Sequence, residues 1–267
     1  MPVVKYIVKR LLVMIPVLLG ISLAAFLLGH IAPGDPVDDA LARIGVEFPT
    51  EEDRAEMRAK LGLDQSLPNQ YLSWLSRVVR GDLGNSYYNN KDIAKEFRAR
   101  FPITLKLSLS ALFTAVLLGV GGGVLMAAFR GSWLDKLLRS ISTLLLSIPG
   151  FWLALFLITV FAEQLHWLPT SGLDRGAASL VLPSLALAAA NVGMTSRLVR
   201  GNVIAQLGEQ YILVANAKGL PQRVVVLGHA LRNSLVPIIT MIGNYFGGIL
   251  GGSTIIETIF AIPGMGS

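Results

Sequence analysis

The sequence has no cysteine and few charged residues. Its 267 residues include no Cys, and only 15% are Asp, Glu, Lys or Arg, whereas 53% are hydrophobic. A chain without thiols forms neither a disulfide nor a thiolate metal site. So small a charged fraction, with a mean hydropathy of +0.60, excludes an ordinary soluble domain and indicates a polytopic membrane protein.

Long stretches of the chain contain no Asp, Glu, Lys or Arg at all. Each is long enough to cross about 30 Å of hydrocarbon at 1.5 Å per residue. We therefore expect an all-α polytopic membrane protein with five transmembrane helices: Leu11–Ala32, Leu107–Phe129, Ser140–Ala162, Gly176–Ser196 and Asn233–Ile256. The first stretch is too long for a signal peptide and has no Ala-x-Ala cleavage site, so we interpret it as a retained helix.

The distribution of basic residues predicts the orientation. The net charge of +6 is better explained by the positive-inside rule than by nucleic-acid binding. With the N-terminus in the cytoplasm, the clusters Arg130–Arg139 and Arg197–Arg232 lie inside. The segments 33–100 and 165–175 then lie outside. We expect one membrane domain over 1–267, with an external insertion at 33–100 and a cytoplasmic loop at 197–235.

The external insertion carries helix signals. Thr50 precedes three acidic residues, as at a capped helix N-terminus, and predicts a charged helix to about Leu61. After Pro68, apolar residues recur at helical spacing as far as Gly81. That apolar face packs within the protein, lies in the membrane interface, or docks a partner.

The cytoplasmic loop contains an unusual polar segment between Glu209 and Pro237. Gly219 followed by Pro221 predicts a helix that ends in a left-handed cap and a second helix that starts at the proline. A short helical hairpin in this place suits a membrane protein that receives force from a soluble motor. In the alternative interpretation, Gly219 and Pro221 only end one helix and begin another.

Motifs for covalent chemistry are missing. The sequence has no His-Glu-x-x-His, no Gly-x-Ser-x-Gly and no Gly-x-x-x-x-Gly-Lys-Ser/Thr. The three histidines, His30, His166 and His229, each lie near the end of a predicted span, and we expect no metal site. No carboxylate lies within a predicted span, which argues against a proton relay. Energy for any transport would therefore have to come from elsewhere.

Short motifs recur in order along nearly the whole chain. Together they resemble the membrane permeases of bacterial dipeptide, oligopeptide and nickel ABC importers. The motifs are Pro33-Gly34-Asp35-Pro36, Leu61-Gly62-Leu63-Asp64-Gln65, Gly81-Asp82-Leu83-Gly84-Asn85-Ser86, Phe101-Pro102-Ile103-Thr104-Leu105, Trp167-Leu168-Pro169, Ala215-Asn216-Ala217-Lys218-Gly219-Leu220, His229-Ala230-Leu231-Arg232-Asn233 and Ile262-Pro263-Gly264-Met265-Gly266.

The resemblance implies a permease subunit in the bacterial inner membrane that catalyses no covalent reaction. It implies four kinds of partner: a second homologous permease, two cytoplasmic ATPase subunits or domains, an external substrate-binding protein, and membrane lipid. ATP and Mg would bind to the ATPase subunits and no cofactor to this chain. The cytoplasmic loop would be the coupling loop, with Glu209, Tyr211, Ala215, Ala217, Lys218, Gly219 and Arg223 at the ATPase contact. The resembled permeases have one more membrane helix after the motif that ends at Gly266.

Polar residues in or near the predicted spans are candidates for the translocation pathway. They are Asn191, Thr195, Asn244, Ser253 and Glu257. Glycines at 119–123 and 247–252 allow close helix packing, and we expect most of them to be packing residues. The expected substrates are di- and oligopeptides, with nickel, nickel chelates or opines as the alternative. Functions of another class are an integral membrane enzyme, such as an intramembrane protease, or a scaffold without transport activity.

Overall fold

The computed structural model describes residues 2–31, 34–46, 48–86 and 91–267. These residues are predominantly helical, and their only β-structure is an isolated bridge between Asn85 and Asp92. The predicted all-α class is confirmed. The chain forms two compact units, Met1–Glu96 and Phe97–Ser267. The helices are α1 (Pro2–Ile31), α2 (Pro36–Arg43), α3 (Glu51–Lys60), α4 (Leu67–Val79), α5 (Ile93–Ala128), α6 (Trp133–Ser147), α7 (Gly150–Leu157, continued by a π-helix over Ile158–Gln164), α8 (Ala178–Leu207), α9 (Gln210–Ala217), α10 (Gln222–Val224, continued by a π-helix over Val225–Leu231) and α11 (Arg232–Ile259).

Helix α1 is the first predicted span. Over Val3–Ile31 it is long and apolar enough to cross a membrane, and the most apolar part of it has no buried residue. A helix that exposes apolar side chains all round suits contact with lipid. The predicted end of this span at Ala32, and Pro33 of the motif that follows, lie outside the described residues.

The insertion predicted over 33–100 begins with two capped helices. Asp35 caps α2 by accepting a hydrogen bond from the backbone N–H of Val37 at 3.0 Å. Thr50 and Asp53 form a reciprocal capping box at the start of α3, which confirms the predicted helix start. Hydrogen bonds from the Thr50 hydroxyl and backbone amide lower the pKa of Asp53.

The apolar face of α4 is only partly covered. The Tyr71 and Trp74 rings pack on Phe26 of α1, with centroids 5.5 and 6.3 Å away. The Tyr71 hydroxyl also lies 2.8 Å from that of Ser22. Leu72 and Val79 stay exposed, at 60% and 81%. One edge of the face therefore packs within the first unit, and the other edge is open.

The spans of the second unit are longer than the apolar stretches that predicted them. Helix α8 continues beyond Ser196 to Leu207, and the last span starts at Gln222, eleven residues before the predicted Asn233. Hydrophobicity marks the part of a helix that lies in lipid, but the backbone stays helical until a cap or a proline ends it. Residues 208–221 are left as the connection between the two spans.

The third predicted span, Ser140–Ala162, is not one continuous helix. The chain bends by 107° between α6 and α7. Pro149 lies at the break, and Ile148 before it is extended, with ψ 126°. A residue that precedes proline is pushed out of the helical region, and proline has no N–H to continue the helix. The sequence-based expectation gave these residues as a single span, although Pro149 and Gly150 are residues that allow a helix to bend.

Helix α8 is the centre of the second unit, packed by α5, α6, α7 and α11. Glycines mark close approaches of its neighbours, as two of them show. At Gly123 of α5, a Cβ would lie 2.6 Å from the Cβ of Val199 on α8, and at Gly193 of α8 it would lie 2.5 Å from the carbonyl oxygen of Ser142 on α6. No side chain fits at either position, so these glycines set the spacing between the helices.

Candidate functional site

The predicted cytoplasmic hairpin is present as α9, a tight turn and α10. Helix α9 ends at Ala217, with Lys218 as its C-cap. Gly219 follows in the left-handed region with φ +73°. The Gly219 N–H donates to the carbonyl of Asn216 at 2.9 Å, and the Leu220 N–H donates to that of Ala215 at 3.3 Å. These two hydrogen bonds together define a Schellman cap. The predicted left-handed cap at Gly219 is thus present.

The inner face of α9 is anchored in a hydrophobic cluster. Ile212 and Ala215 are 2% and 6% exposed, and they pack in one cluster with Val199 and Val203 of α8 and with Val225 at the start of the π-helix. The Tyr211 hydroxyl donates to Oε1 of Gln206 at 2.7 Å. Because α9 rests on residues of both neighbouring spans, a force on α9 reaches those helices through close-packed side chains.

The outer face of α9 exposes apolar residues. Leu213 and Val214 are 66% and 55% exposed, although the surrounding loop is polar. Sequence reasoning missed both. Their signal was the alternation with the buried pair Ile212 and Ala215, which divides this two-turn helix into an inner and an outer face. An exposed apolar pair on a rigid helix is typical of a protein contact surface.

Three charged residues of the predicted coupling set lie at the two ends of α9 and in α10. Glu209, Lys218 and Arg223 are exposed, and none makes a side-chain hydrogen bond or ion pair with another described residue. Glu209 occupies the N-cap position of α9, but its side chain forms no cap hydrogen bond. Its carboxylate is therefore available to a partner. Ala217 is exposed beside them, whereas Ala215 faces inward and supports the helix.

The five candidate pathway residues lie in different environments. No hydrogen bond joins any two of them in the described chain. Thr195 is 1% exposed, against Gly119 of α5, and its hydroxyl has no hydrogen-bond partner. The Ser253 hydroxyl donates to its own helix, at the carbonyl of Leu250. Asn191 is half-buried and Asn244 is exposed.

Glu257 is fully buried instead of facing solvent. Its carboxylate accepts hydrogen bonds from the Thr104 hydroxyl at 2.6 Å and from the backbone N–H of Gly266 at 2.8 Å. The Thr104 hydroxyl also accepts from the N–H of Met265 at 2.8 Å. Glu257 thus holds the segment after α11 against α5. A substrate could reach this carboxylate only after that segment moved.

Titratable groups do not gather into a metal site in the part of the chain that the structure describes. No group of three or more His or acidic side chains there has the arrangement of metal ligands.

Comparison with known proteins identifies the family. The family described as "Binding-protein-dependent transport system inner membrane component" matches residues 119–267, and its N-terminal companion, "Binding-prot-dependent transport system membrane comp, N-term", matches residues 3–108. The chain belongs to this family of ABC importer permeases. It is a transport subunit, not an enzyme, and a multi-pass protein of the inner membrane. Permeases of this family act with an ATPase and a substrate-binding protein.

Individual relatives agree with this assignment. The permease is 40% identical over 263 residues to the glutathione transport system permease protein GsiC of Shigella flexneri serotype 5b, covering 98% of this chain and 84% of that one. It is 39% identical to GsiC of Escherichia coli strain K12 over the same shares. The inward-facing MetNI methionine ABC transporter resembles it with a TM-score of 0.51 at 20% identity, covering 76% of this chain and 80% of that one. This last likeness concerns the fold alone.

Proposed function

We propose that this permease forms half of the pathway of an ATP-driven importer for short peptides, with glutathione among its substrates. Support for this substrate class comes from the 40% identity to a glutathione permease over 98% of the chain. Glutathione is itself a modified tripeptide, so the proposal lies within the di- and oligopeptide class expected from the motifs. The alternative cargo, nickel or an opine, becomes an outcome of the uptake assay below.

Helix α9 is the coupling element in this proposal. Leu213 and Val214 bind in an apolar groove of the ATPase, and Glu209, Lys218 and Arg223 pair with charges at the rim of that groove. The observation that carries this assignment is the contrast between the two faces of α9: its inner face is buried on the two spans, and its outer face is apolar and open. ATP and Mg bind to the ATPase and not to this chain.

A second permease completes the pathway. Alternating access needs two halves that move against each other. On α11, Gly243, Gly247 and Gly251 recur every four residues, and a Cβ at any of them would meet nothing within 4 Å. Asn244 and Thr240 are exposed beside them. Small and polar residues along one face of a spanning helix suit contact with another helix better than contact with lipid.

The N-terminus lies in the cytoplasm, as the basic residues predict.

The proposal is tested in proteoliposomes that contain the complete transporter and its receptor. Uptake of labelled glutathione is measured beside uptake of a labelled dipeptide, of a labelled opine and of Ni²⁺. The proposal expects ATP-dependent uptake of glutathione, with or without uptake of the dipeptide, and uptake of the dipeptide alone would leave the peptide class standing but refute glutathione as a substrate. Uptake of Ni²⁺ or of the opine, without uptake of either peptide, would refute the proposed substrate class and favour the alternative.

Coupling is tested with a matched pair of double variants. Leu213→Ser with Val214→Ser removes the apolar contact of α9, and Leu72→Ser with Val79→Ser makes the same change on exposed residues of α4. We expect receptor-stimulated ATP hydrolysis and uptake to fall only in the α9 variant. If both variants insert at normal levels and show the same ATP hydrolysis and uptake as each other, α9 is only a connector.

A further inference from the structure

Asp135 is a carboxylate with no solvent exposure in the second unit. It lies in the first turn of α6, where its backbone N–H donates to the Ser132 hydroxyl at 3.3 Å. Its Oδ2 accepts a hydrogen bond from the N–H of Gly131 at 2.9 Å. These two bonds fix the turn that joins α5 to α6. A buried charge still requires a partner of opposite sign.

Arg200 of α8 supplies that partner. Its Nε lies 2.8 Å from Oδ1 of Asp135, and its Nη2 lies 2.9 Å from Oδ2. The pair is therefore bidentate, the geometry that fixes both distance and orientation. Arg139, one turn further along α6, lies 3.4 Å from Oδ1 through its Nε. The carboxylate thus holds a backbone amide of the α5–α6 turn and a side chain of α8 at once.

A second polar contact follows the same line between the two helices. Arg197 of α8 donates from Nη2 to the Thr143 hydroxyl of α6 at 2.6 Å. Residues 197 and 200 are three apart on α8, and residues 135, 139 and 143 are four apart on α6, so each set lies on one helix face. Gly193 continues the contact by direct approach to the carbonyl of Ser142. Helices α6 and α8 are therefore joined over several turns.

A buried ion pair of this kind adds little net stability, because desolvation of the charges offsets their attraction. What the pair does fix is the position of one helix against another. Helix α8 leads directly through Gly208 and Glu209 into α9, and α6 leads into the bend at Pro149 and into α7. The pair thus lies between the proposed ATPase contact and the broken span.

We propose that Asp135 and Arg200 form a clamp through which displacement of α9 by the ATPase moves the broken helix α6–α7. The clamp keeps α6, α8 and α9 together as one moving body, and the bend at Pro149 is the place where that motion becomes a change of angle. Asp135 and Arg200 are positioning residues, since neither touches substrate or nucleotide in this account. The inference rests on the proposed coupling role of α9.

The test uses the complete transporter in proteoliposomes and measures the substrate molecules taken up per ATP hydrolysed. The labelled probe is glutathione or the dipeptide, whichever the wild type takes up. The variants are Asp135→Asn, Arg200→Gln and the two combined, with Lys136→Gln as the matched control, because Lys136 is the next residue on α6 and is exposed. A merely structural pair would alter the amount of folded protein but not this ratio.

We expect each single variant to lower the uptake per ATP by roughly fivefold or more, the range of ordinary coupling between sites. The combined variant should be no worse than the poorer single one, because both remove the same contact. If a single variant fails to fold because it leaves a buried charge unpaired, the combined variant, which leaves none, decides the question. A wild-type ratio in the combined variant would overturn the proposal.

The outcome for α9 separates this inference from the proposed function. If the Leu213 and Val214 variant loses coupling while the combined Asp135 and Arg200 variant keeps the wild-type ratio, the clamp is wrong and the coupling role of α9 stands. If the α9 variant keeps wild-type uptake and wild-type receptor-stimulated ATP hydrolysis, the proposed function of α9 fails, and the clamp fails with it.

Discussion

Replacing Gly123 by alanine should force α5 and α8 apart. A Cβ at Gly123 would lie 2.6 Å from the Cβ of Val199 and 2.7 Å from the carbonyl oxygen of Ser196. Carbon atoms pack at about 3.5–4.0 Å, so the two helices would have to separate by about 1 Å. The Ser196 carbonyl is backbone and cannot rotate away. Overpacking of this kind costs about 1–3 kcal/mol.

The matched control is Gly121→Ala on the same helix. A Cβ at Gly121 would meet nothing within 4 Å, and alanine favours the helix over glycine by up to about 1 kcal/mol. Thermal unfolding of the purified transporter is followed by intrinsic tryptophan fluorescence. We expect Gly123→Ala to lower the unfolding midpoint and Gly121→Ala to raise it. A Gly123→Ala variant that unfolds at the wild-type temperature would show that α5 and α8 do not pack as described.

Three more predictions concern Gly219, Glu257 and the orientation in the membrane. Gly219→Ala should destabilise the protein by about 1–2 kcal/mol, because alanine is strained in a left-handed backbone. Gly201→Ala is the control: a Cβ there also meets nothing within 4 Å, but the backbone is helical, so we expect no loss of stability. Equal unfolding midpoints for the two variants would contradict the left-handed cap. Glu257→Gln should lower the free energy of unfolding by about 1–3 kcal/mol, because the new amide N–H₂ would face a hydrogen-bond donor where the carboxylate had accepted. Glu163→Gln, at an exposed position, should leave the unfolding midpoint unchanged in the same assay. A topology reporter fused at α3 should read as external and one at α9 as cytoplasmic, and exchanged signals would reverse the orientation.

The sequence predicted those features that follow from short-range rules. The capping box at Thr50 and the left-handed cap at Gly219 each depend on a few neighbouring residues, and both are present. The apolar stretches located the spans because lipid excludes charge over a fixed thickness. These same stretches could not show where the helices end, since Arg197 and Arg200 continue α8 beyond the predicted limit at Ser196.

The remaining features depend on contacts between distant residues. The burial of Glu257 requires Thr104 and Gly266 to meet it, and the pairing of Asp135 with Arg200 joins residues 65 positions apart. Neither contact leaves a local pattern in the sequence. The bend after Ile148 did leave one, the Pro149-Gly150 pair, but proline also occurs inside the helices α1, α5, α8 and α11. The sequence likewise does not tell which glycines space two helices: Gly123 does so, whereas Gly121 faces open space.

The most direct test of the account is whether the outer face of α9 touches the ATPase. A photo-crosslinking amino acid is placed at Leu213, which is 66% exposed, and as a control at Val79, which is 81% exposed in the segment predicted to be external. Irradiation of the assembled transporter should join this chain to the ATPase subunit from position 213 and not from position 79. An intact, active transporter in which position 213 gives no adduct with the ATPase would contradict the account.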